Sequence, residues 1–261
     1  MSVINPAVDL VSQRPVLNST TGGELKYRRL FVALFLVLVC IAAFPAWAIE
    51  PYTIAPAQLN PKDALPHALV DKLDPQGWRL STEVNGLPVS ICEVFWVKAA
   101  SVQERQPGSK TPSHYGDLEP GTLVGVIHFL PEASEDYRED FRDQKLEPGY
   151  YSMRYAPQPK GEPSDALMLS PVRADREAER VLATDELERR SRLASGTNNP
   201  ALLSLVSPES SKEQAPRLRM DEEGTCIFQI SLPVKSGPGS AKGVALAVIL
   251  VTPRKGEGDA S

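Results

Sequence analysis

The chain has 261 residues, with 28 Lys and Arg against 33 Asp and Glu, giving a net charge of −5 at neutral pH. An acidic chain with no basic patch and no aromatics interleaved among basic residues repels nucleic acid, so nucleic-acid binding is excluded. This length supports one sizeable core or two small ones.

Residues 1–48 read as a presegment. Lys26, Arg28 and Arg29 precede an unbroken apolar h-region at 31–44, Pro45 breaks it, and Ala46-Trp47-Ala48 places small residues where a signal peptidase reads. That is the pattern of a secretory signal peptide cut after Ala48. An uncleaved membrane anchor through residues 30–48 is the alternative, because the run is almost long enough to span a bilayer. Arg28-Arg29-Leu30-Phe31 matches the core of a twin-arginine signal, while so apolar a segment also suits ordinary Sec export. The expected location is exported, periplasmic or extracellular, with membrane contact only through an uncleaved signal. Cleavage leaves about 213 residues. Removing the four basic and two acidic residues of the presegment from 28 and 33 leaves a net charge near −7.

Residues 49–76 carry Pro51, Pro56, Pro61, Pro66 and Pro75, and read as an extended lead-in with a short helix near 62–73. Residues 77–254 form the expected single β-rich domain. Trp78, Leu80, Thr82 and Val84 alternate with polar residues, the period of a half-buried strand. Asn85-Gly86 then suits a two-residue type I′ hairpin turn. A continuous ladder from that turn puts Thr82 opposite Val89, Leu80 opposite Ile91 and Trp78 opposite Glu93. Cys92 falls on the other face.

Leu-Glu-Pro-Gly occurs at 118–121 and again at 146–149, each time before a strand, TLVGVIHFL and YYSMRYAP. Pro-Gly fits the centre of a type II turn. The charge-dense stretch 132–145 reads as a short surface helix. It lacks the Asp-x-Asp-x-Asp-Gly spacing of an EF-hand. ALMLSPV (166–172) reads as a strand, and residues 173–194 as a helical insertion with a restart at Thr184 or Asp185, burying Leu187 and Leu193 and ending at a Gly196 cap. CIFQISLPV and GVALAVILVTP close the domain as strands, the last apolar on both faces as a central strand would be. Residues 255–261 read as a flexible tail. The pattern predicts a mainly β fold, an antiparallel β-sandwich or open barrel with one helical insertion.

LEPGYYSMRYAPQP, DALMLSPVRAD and ASGTNNPALLSL together resemble a family of uncharacterised exported bacterial proteins carrying L-x-P-G-x-Y and A-S-G-T-N-x-P motifs. The resemblance covers roughly residues 78–205 and implies a domain type without an activity. The family pattern has a His where this chain has Asn199, and a His-containing segment after the QP that is missing here. A site built on those histidines does not carry over.

No G-x-S-x-G, P-loop or dinucleotide fingerprint is present, and His67, His114 and His128 are not at metal-ligand spacing, so neither a cofactor nor a metal is predicted. The first functional expectation is a non-catalytic binding or interaction module of the cell envelope, for an envelope protein or a small ligand. Its contact region would be the polar loop with Ser195, Thr197, Asn198 and Asn199. The alternative is a hydrolase-type enzyme using Glu93 with His128 or Asp117, because a carboxylate on an apolar strand face is costly unless paired or functional. The structural reading of Glu93 is a β-bulge or strand end turning it to solvent, or toward Arg79 or Arg154. Cys92 and Cys226 either form a disulfide, worth roughly 4–5 kcal/mol for so long a loop, or remain two buried thiols.

Overall fold

The computed structural model describes residues 52–60, 65–100, 115, 117–140, 142–159, 164–177, 180–209, 216–234 and 243–252. The chain divides into two units, 1–49 and 50–261, and every described residue belongs to the second. The expected signal peptide, membrane anchor and flexible tail therefore lie outside the described residues, as does His114.

The described elements are β1 (Tyr52–Gln58), α1 (His67–Val70), β2 (Gln76–Val84), β3 (Leu87–Trp96), β4 (Leu123–Phe129) and β5 (Gly149–Ala156). They continue with β6 (Ala166–Pro171), α2 (Thr184–Ser195), β7 (Leu202–Ser204), β8 (Arg217–Met220), β9 (Cys226–Pro233) and β10 (Gly243–Val251). Strands β1 to β7 pair in chain order into one antiparallel sheet, curled into a half-barrel. Strands β10, β9 and β8 form a second, three-stranded sheet. The fold is mainly β, as the alternation and turn signals predict.

Each strand of the large sheet turns alternate residues toward the small one. Trp96 of β3 stacks on Phe228 of β9, with ring centroids 6.1 Å apart and planes 19° from parallel. Around that contact lie Val94, Ile127, Met153 and Leu169 from the large sheet, and Leu246 and Val248 from the small one, all buried. Gly125 lies opposite Trp96. A Cβ there would meet Trp96 and Met153 at 3.2 and 3.0 Å and the Phe95 carbonyl at 2.5 Å, so the glycine makes room for the indole. At one edge the sheets are joined by the Leu205–Val248 bridge and by the Val206 amide donating to the Ala247 carbonyl. Tyr115 clamps the same seam. Its hydroxyl donates to the Val206 carbonyl and accepts from the Ala247 amide, and burial pushes the phenol up to about 12.

The outer face of the large sheet is partly covered. Helix α2 lies over β6 and β5, where Leu187 and Leu182 pack on Met168 and Ala156 in a small core of their own.

Several expectations need correction. The proline-rich stretch contributes β1, an edge strand paired only with β2, where an imino nitrogen such as that of Pro56 need not donate to a neighbour. The helical insertion begins at Thr184, and residues 172–174 form a turn that runs on as irregular chain to 177, with Asp175 committed to side-chain bonds described below. Helix α2 buries Leu187, Arg190, Ser191 and Ala194, while Leu193 is 55% exposed. The stripe i, i+3, i+4, i+7 from Leu187 passes Leu193 by. Among the described residues of the stretch expected to be a surface helix, the helical structure is a 3-10 turn, Glu135–Tyr137. There the Asp140 carboxylate takes the Arg142 and Gln144 amides, at 2.8 and 2.9 Å, and so competes with helical bonding. Strand β10 lies at the end of its sheet rather than at the centre, its outer side closed by β7.

Candidate functional site

The β2–β3 hairpin determines where Glu93 goes. Asn85 and Gly86 adopt φ of 54° and 78°, the left-handed pair that a type I′ turn requires. From the turn the ladder runs as expected through Thr82–Val89 and Ser81–Ser90, and then a bulge makes Leu80 face Cys92. One extra residue on β3 moves Glu93 from opposite Trp78 to opposite Arg79. Glu93 also faces His128 on β4, and His128 faces Tyr150 on β5. Four adjacent strands thus contribute one residue each to a polar row, Arg79–Glu93–His128–Tyr150, on the outer face.

Within the row, Arg79 donates through Nε and Nη2 to Glu93 Oε1, at 2.9 and 2.6 Å. The His128 Nδ1 lies 3.4 Å from Glu93 Oε2. The imidazole stacks on the Tyr150 ring, with centroids 3.8 Å apart and planes 10° from parallel. The His128 bond and then the Arg79 guanidinium hold the Glu93 carboxyl below its ordinary value, against the opposing pull of burial. Side-chain exposure is highest at the Arg79 end of the row, 48%, against 11% for Glu93 and 19% for His128. Among the described residues, Arg79 Nη1 and His128 Nε2 have no partner.

The structure brings Glu93 and His128 together and keeps Asp117 apart from them. Asp117 precedes β4 at its start, whereas His128 stands near the strand's end, five residues beyond Leu123 and so about 17 Å along the strand. Arg154 is not Glu93's partner either, for it belongs to a second network on the same face.

That second network is covered. Arg154 and Asp175 have no exposed side-chain surface. Arg154 donates through Nε and Nη2 to the two Asp175 oxygens, at 2.6 and 2.9 Å. It also donates to the carbonyls of Gly121, Arg180 and Glu177, each within 2.9 Å. Asp175 accepts further bonds from Ser152 Oγ and Arg190 Nη1, at 2.6 and 3.1 Å. All five guanidinium N–H groups of Arg154 are used, which is what allows a charge to stand in a dry interior. The pair pins the 172–177 segment and α2 to the sheet. The sequence carried one weak signal of it: an arginine in the middle of the YYSMRYA strand.

The loop after α2 is held by its own hydroxyls. Ser195 Oγ donates to the Asn199 carbonyl at 2.6 Å, and Thr197 Oγ1 donates to Gln144 Oε1 at 2.5 Å. Gln144 Nε2 donates in turn to Asp140 Oδ2 at 2.7 Å, and Asp140 also takes the Leu202 amide at 3.2 Å. Burial raises the Asp140 carboxyl despite these donors. Ser195 and Thr197 are therefore spent on internal bonds, and the exposed Asn198 and Asn199 side chains remain the loop's outward polar groups. No described bond links the loop to the Arg79–Tyr150 row.

Cys92 and Cys226 are buried on the inner faces of the two sheets and stand as thiols with no bond between them, one of the two states the sequence leaves open. Burial foremost, with Cys226 and Glu93 nearby, pushes the Cys92 thiol upward, away from nucleophile chemistry. Among the described residues no group of three His, Cys, Asp or Glu side chains is placed to hold a metal, and no helix is long and apolar enough to cross a membrane. Comparisons with family models, curated proteins and solved structures found no match.

Proposed function

We propose that this is an exported, non-catalytic β-sandwich protein of the cell envelope, acting as a binding module. Export rests on the basic residues before the 31–44 run and the Ala-Trp-Ala that follows. N-terminal sequencing of the exported product separates a cleaved signal from an anchor through 30–48. The binding reading rests on one observation, a loop braced from within that still offers the amide side chains of Asn198 and Asn199 to solvent. A braced loop loses little conformational freedom when it binds. Replacing Asn198 and Asn199 by Ala leaves the fold intact and abolishes capture of the wild-type protein's envelope partner. Undiminished capture counts against this loop. In an oxidising compartment Cys92 and Cys226 are the available pair for a disulfide, and thiol counting on unreduced, denatured protein tests it, two free thiols sinking the idea.

The 3.4 Å contact between Glu93 and His128 favours a second reading, a hydrolase in which Glu93 orients His128 as a general base through Nε2. Under that reading Glu93→Gln leaves the fold in place and abolishes turnover. Under the binding reading it changes stability and no turnover exists to lose.

A further inference from the structure

We propose that the Arg79–Glu93–His128–Tyr150 row binds a neutral, polyhydroxylated ligand, an envelope glycan by chemical class. This rests on the reading of the protein as a binding module and adds to it a second contact surface with a named ligand chemistry.

The bonding capacity left over in the row is the main argument. A carboxylate offers about four acceptor sites, and Glu93 uses three of them, two for Arg79 and one for His128. Arg79 Nη1 is an unused donor and His128 Nε2 an unused ring nitrogen. Donor, acceptor and ring nitrogen therefore alternate across adjacent strands on a partly open surface. A hydroxyl both donates and accepts, so a chain of hydroxyls matches this alternation, whereas an ionised carboxylate or phosphate only accepts and leaves the remaining acceptor site of Glu93 unmatched.

Charge points the same way. The Arg79 guanidinium and the Glu93 carboxylate cancel at close range, leaving no excess charge to select an ion. Length and shape agree with an extended ligand. Three inter-strand steps separate Arg79 from Tyr150, about 14 Å at the usual strand spacing. At the far end His128 and the half-buried Tyr150 stack face to face, and the exposed part of that pair, 19% of the His128 side chain among it, is the aromatic surface a sugar's C–H groups would meet. The buried Arg154 has none of this spare capacity, since all five of its N–H groups are used, which separates an arginine that is open to a ligand from one that is complete without it.

The test is isothermal titration of the full chain with fully N-acetylated chitotetraose, with cellotetraose and, separately, with sodium sulfate. One of the two sugars is expected to bind, with affinity changing less than about twofold as salt is raised, since no net charge drives the contact. Arg79→Gln, at an exposed position that tolerates the change, and His128→Ala are each expected to weaken that binding by about tenfold. Sulfate binding that falls steeply with salt, without sugar binding, overturns the proposal in favour of an anion site. Failure of both sugars to bind at about 10 mM overturns it as well, and so does sugar binding unchanged in Arg79→Gln. In any of these outcomes, capture of the envelope partner that still depends on Asn198 and Asn199 shows that only the ligand class of the row has failed.

Discussion

Two ionic networks share the outer face of the seven-stranded sheet, and they differ in what covers them. Arg154–Asp175 lies beneath α2, which reaches it through Arg190, and beneath the 172–177 segment, and Arg79–Glu93–His128 stands where no described element closes over Arg79. Under the cover every donor of Arg154 has an acceptor, because a buried charge left short of partners costs several kcal/mol. In the open row water can serve the unused Arg79 Nη1 and His128 Nε2, so the fold tolerates incomplete bonding there. Incomplete bonding is what a binding surface needs. The same residue types thus act as architecture in one place and as candidate recognition groups in the other, and the difference follows from burial.

The comparison can be broken most readily at its buried end. Arg154→Ala removes the bidentate partner of the buried Asp175 carboxylate, leaving it Ser152 and Arg190 alone, and is expected to cost about 3–5 kcal/mol in denaturant unfolding. Asp175→Asn, which retains the shape and loses the charge, should fall short of that while remaining clearly destabilising. Next in size is the seam between the sheets. Tyr115→Phe removes the hydroxyl that serves Val206 and Ala247, leaving buried backbone groups unpaired at about 1–3 kcal/mol. Glu93→Gln is smaller, below about 1 kcal/mol, because Arg79 is half exposed and solvent screens the pair.

Acid sharpens the contrast. The Glu93 carboxyl lies below its ordinary 4.5 in the folded protein, so its contribution to stability is complete above that value and is lost as pH falls through the folded value. Asp140 has the opposite sign. Its carboxyl lies above the ordinary 3.8, so its ionised form costs stability at neutral pH, and the cost is relieved as pH falls through its folded value. The gap between wild type and Glu93→Gln, followed by urea unfolding from about pH 7 to about pH 3, should therefore close only below about pH 4.5. A gap that closes nearer neutrality would contradict this assignment.

The strands were legible because alternation and turn chemistry are local. Asn85-Gly86 predicts the hairpin, and Leu-Glu-Pro-Gly marks the starts of β4 and β5. The bulge beside Ile91 was not readable in register, since nothing in SICEVF says which residue is extra, and that single residue decides whether Glu93 meets Trp78 or Arg79. Glu93, His128 and Arg79 were each visible as candidates. Their convergence depends on strand order, which one sequence does not print. Arg154 and Asp175 lie 21 residues apart, and their pairing required the 172–177 segment to fold back over β5, where charge density alone suggested a helix. Leu193 misled because a leucine in a helical stretch reads as buried until the stripe is fixed by Leu187, Arg190, Ser191 and Ala194.

The most direct test of the contrast is urea unfolding of Arg154→Ala and Glu93→Gln side by side at neutral pH. A loss of about 3 kcal/mol or more for the first and below about 1 kcal/mol for the second is the expected result. Equal losses would contradict it, showing that the Arg79–Glu93–His128 row is as much a part of the architecture as the buried pair.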